Sequence, residues 1–203
     1  MKGLKALGLA AVAALALTAF LGASSASATV LCTTTTSPCG TGWHIDQIIL
    51  SSTGSVSAHS TSGSLEATCK EMALTGNKVS TGSSTTTPIY SVATAKMLFG
   101  GCSQASETLG GGEIEIHQIA GTHNGTVTAF GFKVTTAIAG ISCYFTFGTG
   151  AHFGVLTGGS PAILHMNAVA DKTPPSSFLC PADTVWEGTF QLTNHTAAYV
   201  VAE

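Results

Sequence analysis

The chain has no arginine, and its only lysines beyond residue 28 are Lys70, Lys78, Lys96, Lys133 and Lys172. Ten acidic residues, all in the same stretch, outnumber those five lysines and give it a formal charge of −5. Gripping phosphates takes clustered Lys or Arg to displace counterions, so the composition argues against a nucleic-acid partner. Charged residues are 8% of the chain, against about 25% in average proteins, so few ion pairs are available for stability. No Cys-x-x-Cys pair occurs, which removes the usual zinc-ribbon spacing. Beyond residue 28 no run is apolar enough to cross a bilayer, and helical periodicity is nearly missing as well.

What is present begins with an export signal. Lys2 and Lys5 form a positive start, Leu4 to Phe20 is an apolar run, and Ala26-Ser27-Ala28 is a small-x-small cleavage site. Residues 1–28 are expected to be a signal peptide and residues 29–203 a single domain. Cys32 follows closely, but bulky Leu31 directly before it is wrong for a lipobox. The expected location is therefore secreted, extracellular or at the cell surface, with no membrane span after cleavage.

All six cysteines, Cys32, Cys39, Cys69, Cys102, Cys143 and Cys180, lie beyond the cleavage site. An even count in an exported chain predicts disulfides. We expect pairing in chain order. Cys32 and Cys39 bracket a Thr/Pro loop, Cys69 and Cys102 each close a candidate strand, and Cys143 and Cys180 remain.

Short runs of Val, Ile, Thr, Phe and Tyr between Gly, Asn and Ser turns predict strands at 43–51, 64–70, 89–99, 113–119, 125–130, 132–138, 141–147, 151–156, 162–170, 184–193 and 197–202. Residues 66–74 could instead make a turn or two of helix. Period-two alternation puts Ile114 and Ile116 on one face with Glu113, Glu115 and His117 on the other. It likewise aligns Leu164, Met166 and Ala168, and Trp186, Phe190 and Leu192 with Gly188. One apolar and one polar face is the pattern of a half-buried antiparallel strand. The predicted fold is all-β, an antiparallel β-sandwich stabilised by disulfides. Asn124-Gly125 is the best hairpin turn in the chain.

Candidate sites are few. Glu113, Glu115 and His117, with His123 beyond, offer ligand types suited to zinc or manganese. Strand geometry, however, sets the outer two about 13 Å apart, so a solvated strand face is expected, with no metal and no cofactor. His44 and Asp46 could pair, although no nucleophile is placed beside them in sequence. Trp43 could stack on a sugar or pack at a core edge, the commoner fate of such a residue. Gly158-Gly-Ser-Pro-Ala162 approaches a nucleophile elbow but has Ala162 in place of the last glycine and no helix pattern after it. Gly110-Gly-Gly112 lacks the lysine ending of a phosphate loop. Asn124-Gly-Thr126 and Asn194-His-Thr196 are glycosylation sequons by pattern alone.

The run Ala28-Thr-Val-Leu-Cys32 with Pro38-Cys39, then Glu115 to Thr122, Asn124 to Thr128, Leu156 to Ala162, Cys180-Pro181, Trp186 and Tyr199-Val200 resemble a family of exported actinobacterial β-rich proteins with paired cysteines, to which no activity is assigned. The resemblance covers nearly the whole chain and implies export, one domain and disulfides. It implies no catalytic or binding residue. The expected role is non-enzymatic recognition or structure outside the cell, with a glycan or another cell-surface component as partner. The alternative is a secreted hydrolase whose site assembles from distant His, Asp and Ser residues, with His44, Asp46 and His117 as candidates. Intact mass of protein recovered from the medium of expressing cells should begin at Thr29; retention of Met1 on membrane-bound protein would remove the export reading.

Overall fold

A computed structural model describes residues 28–40, 42–63, 66–81, 90–103, 111–138 and 140–202, with 79–81, 90–96 and 138 given by backbone alone. The expected signal peptide up to residue 27 lies outside the described residues, as does Gly110. Fourteen strands and no helix occur among the described residues. They are β1 (Thr29–Cys32), β2 (Gln47–Ser52), β3 (Val56–His59), β4 (Glu66–Cys69), β5 (Glu71–Thr81), β6 (Tyr90–Gly100) and β7 (Gly112–Gln118). Then follow β8 (Gly125–Phe130), β9 (Lys133–Ile138), β10 (Ile141–Phe147), β11 (Ala151–Thr157), β12 (Ile163–Lys172), β13 (Asp183–Leu192) and β14 (Tyr199–Ala202).

Every pairing is antiparallel. Twelve strands make one sheet, and β1 pairs with β14 in a separate ribbon. Following the pairings from β2 through β5, β6, β7, β8, β11, β12 and β13 returns to β2, so the sheet curls round and closes on itself. The long strands β12 and β13 make this possible. Along one edge β13 pairs with β12 from Asp183 to Gln191, and along the other it holds β3 at Val185–Glu187 and β2 at Phe190–Leu192. β12 in turn holds β11 at one end and β10 at the other. The two walls of the curled sheet face each other across one core, as in a sandwich, and the all-β antiparallel class predicted from the sequence is the one found.

The alternation read from the sequence is the alternation that is buried. Ile114, Ile116, Leu164, Met166, Ala168, Trp186, Phe190 and Leu192 all enter the main core. Trp186 is 1% exposed, lies 5.2 Å from Phe99 between ring centroids, and its indole N–H donates to the Thr184 hydroxyl at 3.0 Å. Thr184 therefore belongs inside: it satisfies the one polar atom that the large ring carries into the core. Phe153 stacks on Phe132 and meets Phe147 edge-on, filling the interior near β9, β10 and β11. The ribbon of β1 and β14 is buried on both faces. Leu31 and Val200 join the main core, and Val30, Cys32 and Val201 form a second cluster with Cys39.

Residues 66–74 are not helical. They form β4 and the start of β5, separated by a bend at Lys70. Ala67 and Cys69 are buried before the bend, and Met72 and Leu74 after it. The period of two restarts at Lys70, and pairing with β3, β2 and β6 outweighs the helix preference of Glu, Ala and Met. The disulfides join Cys32 to Cys39, Cys69 to Cys102 and Cys143 to Cys180, the chain-order pairing expected.

One close approach sets a sharp test. Gly154 in β11 faces β12, and a Cβ there would stand 2.2 Å from the carbonyl oxygen of His165. That neighbour is backbone in a paired strand and cannot swing aside. Gly154→Ala should cost about 3 kcal/mol in urea unfolding; wild-type stability would mean that β11 moves off β12 freely.

Candidate functional site

The stripe on β7 stands on the outer face, as the burial of Ile114 and Ile116 requires. Across the sheet Glu115 faces Thr128 of β8, and His117 faces Thr126. His117 Nε2 lies 3.5 Å from Glu115 Oε2, and the two side chains are only 24% and 21% exposed. The stripe is thus half-buried, which corrects the expectation of a freely solvated face. A twisted, curled sheet brings outward side chains of neighbouring strands against one another. His123 is turned to other work: it sits in the turn before β8, and its ring meets Tyr199 of β14 edge-on at 5.8 Å. Among the described residues no three His, Cys, Asp or Glu side chains converge as a metal site would need.

His44 and Asp46 face separate partners. The His44 ring is 3.1 Å from the Cys39 carbonyl, and Cys32 bridges His44 through the backbone. Asp46 makes an ion pair with Lys78 at 2.5 Å. Its hydrogen bond to Lys78 holds the carboxyl below its ordinary 3.8; desolvation acts against this, and the charges of Lys78 and His44 add to the lowering. A lowered carboxylate pKa stabilises the fold above the unfolded value, and the contribution is lost as pH falls through the folded one. Asp46 is 75% exposed, so that contribution is small.

Gly158 to Ala162 is a turn. Gly159 bridges Ala198, the Ser160 hydroxyl donates to the Thr196 carbonyl at 2.8 Å, and strand β12 follows at once. An elbow needs a helix there. Both sequon asparagines hold the fold together. Asn124 Oδ1 accepts from Gly158 N at 3.0 Å. Asn194 Oδ1 accepts from Ile49 N at 3.0 Å while its amide donates to the Gln47 carbonyl at 2.8 Å, extending the hydrogen bonding of β2.

The hydrolase alternative calls for a concave place where His, carboxylate and Ser meet. The best match is a groove of about 570 Å³ over β12 and β13, lined by Ser55, Ser57, His165, Asn167, Glu187 and Thr189. Strand register, invisible to spacing, assembles it. Its polar groups are turned to cross-strand neighbours. Asn167 donates to Glu187 at 3.0 Å, and the His165 ring lies 3.3 Å from the Thr189 hydroxyl. These contacts form two separate pairs and no nucleophile–base–carboxylate relay.

Two surface features carry more. Trp43 does not pack at a core edge; it is 55% exposed, beside the loop closed by Cys32 and Cys39. Phe178 is 89% exposed and Leu179 62% exposed. They occupy the corner of a tight turn closed by Cys180 N donating to the Ser177 carbonyl at 3.1 Å. Cys180 itself is bonded to Cys143 of β10, and Lys172 Nζ donates to its carbonyl at 3.1 Å. Nothing in the strand alternation marks this turn. Its one signal was Pro174-Pro175 leading into Phe-Leu beside a cysteine, and nothing in the pattern says that those side chains stay outside.

Comparison with known proteins gives no matching family model, no matching curated protein and no matching solved structure.

Glu115→Ala and His117→Ala should each shift unfolding free energy by less than about 1 kcal/mol. Elemental analysis should find no stoichiometric zinc or manganese, and EDTA should leave Tm unchanged. One equivalent of metal lost in His117→Ala would restore the stripe as a site.

Proposed function

We propose that the protein is exported and acts outside the cell as a non-catalytic recognition scaffold. The observation that carries this is the Phe178–Leu179 turn. Two adjacent, largely exposed apolar side chains contribute little to folding and work against solubility. Their backbone is nevertheless held rigid, by the bond to Cys143 and by the contacts of Ser176 with Tyr144: the Ser176 hydroxyl receives Tyr144 N at 2.8 Å and lies 3.0 Å from the Tyr144 carbonyl. A stiff loop offering an aromatic anchor loses little entropy on docking, which is the economy of an interface hot spot.

Further support comes from the three disulfides, which suit an oxidising compartment, and from the signal pattern at residues 1–28. The resemblance to exported actinobacterial proteins points the same way. A weakly charged, hydroxyl-rich exterior suits contact with a cell-surface component better than binding of an ionic substrate. Outward positions of the curled sheet such as His165, Asn167 and Glu187 are polar, the reverse of the apolar outer band of a membrane barrel.

The test is retention of the mature protein on isolated cell envelopes. Phe178→Ser/Leu179→Ser should bind at least tenfold more weakly while keeping the parent Tm within a degree or two. Equal binding by parent and variant would remove the turn from the recognition surface. Turnover of a generic ester, peptide or glycoside substrate by the purified protein would favour the hydrolase instead.

A further inference from the structure

We infer that Trp43 is a stacking platform for a neutral saccharide ring, on a loop prebuilt for that purpose. This rests on the recognition reading but uses a different surface from the Phe178–Leu179 turn.

The backbone of Trp43 is fixed on both sides. Trp43 N donates to the Gly40 carbonyl at 2.8 Å, and the Trp43 carbonyl accepts from Thr33 N at 2.9 Å and lies 3.4 Å from the Thr33 hydroxyl. A Cβ on Gly40 would stand 3.2 Å from Trp43 Cδ1, so bare backbone lies against the pyrrole edge of the ring. Trp43 is nevertheless 55% exposed. The neighbouring loop cannot drift. The Cys32–Cys39 bond closes it, the Ser37 hydroxyl donates to the Ala202 carbonyl at the end of β14, and the Thr34 and Thr36 hydroxyls bond each other at 2.8 Å. The His44 ring completes the frame through the Cys39 carbonyl at 3.1 Å.

The composition around the ring selects the ligand. From Cys32 to His44 there is no Asp, Glu, Lys or Arg, so the segment itself supplies no carboxylate, ammonium or guanidinium for an ionic ligand. Residues 33–42 contain no Leu, Ile, Val, Met or Phe, so an apolar protein surface would find one aromatic ring and nothing further to bury against. Threonine hydroxyls and exposed backbone are what the loop does offer. An exposed aromatic ring on a neutral, hydroxyl-bearing loop complements a pyranose, whose C–H face packs on a ring while its hydroxyls seek neutral hydrogen-bond partners. A rigid aromatic also gives contact area at low entropic cost.

The two tryptophans make the test clean, because Trp186 is 1% exposed and Trp43 is the one that a quencher in solution reaches. Acrylamide quenching of the disulfide-bonded mature protein is measured during titration with chitotetraose, cellotetraose and xylotetraose. At least one should protect the quenchable emission with half-saturation in the millimolar range, where a small rigid contact belongs. By calorimetry, Trp43→Ala should weaken that binding at least tenfold and Trp43→Phe by less, both with parental Tm. No protection by any of the three up to 20-fold above that range, or undiminished binding by Trp43→Ala, overturns the assignment. Because envelope retention through Phe178 is read separately, losing the saccharide leaves the recognition reading standing, and the reverse holds as well.

Discussion

The pairing of β12 with β13 is the constraint on which the rest of the structure hangs. Nine consecutive residue pairs run from Ile163↔Gln191 to Asp171↔Asp183. Each of these strands is ten residues long, enough to hold two different neighbours end to end along its other edge. Because β13 pairs with β12 along one edge and with β2 along the other, the sheet curls back on itself. Closure in turn creates the interior that Trp186, Phe190, Leu164 and Met166 fill. A closed sheet also removes most free edges, which in an all-β protein invite pairing with other chains. Edge strand β4 is covered as well: Ser103 N donates to the Thr68 carbonyl, and the Ser103 hydroxyl receives Thr68 N.

With charge so scarce, stability comes from burial and cross-links. In the Lys78–Asp46 pair the Asp46 carboxylate is mostly in water, so the pair contributes little. The disulfides sit where the sheet alone would leave the chain loose. Cys32–Cys39 closes the threonine loop, Cys69–Cys102 fastens the edge at β4, and Cys143–Cys180 draws the Pro174 to Leu179 loop onto β10. Chain entropy puts the first at about 2.5 kcal/mol and each of the longer two at about 4, as upper values. Two of the three also stiffen the neighbourhood of an exposed aromatic. The scaffold is a closed, filled sheet and the distinctive chemistry is on loops, the division of labour expected when rigid strands present mobile-prone segments.

How much of this was legible in sequence differs by element. β7, β8, β12 and β13 could be read because each has one apolar and one polar face, and a period of two survives in the letters. β4 and β5 were harder: helix-favouring residues fill 66–74, and the bend at Lys70 breaks the alternation into two short pieces. β1 was missed because both its faces are buried, so that it shows no alternation at all. At the candidate sites, the nearness of Glu115 and His117 followed from spacing, whereas their half-burial depended on strands distant in the chain.

By itself the sequence determined the all-β class, the inward faces of the regular strands, the low charge and the supply of cysteines. These are local properties, set by alternation and composition. The tertiary structure alone decided that the sheet closes through β13, that His165 and Glu187 share a groove, and that Trp43, Phe178 and Leu179 remain in water. Whether an apolar side chain is buried depends on which other segments arrive to cover it, and for these three the register and disulfides hold the described strands elsewhere.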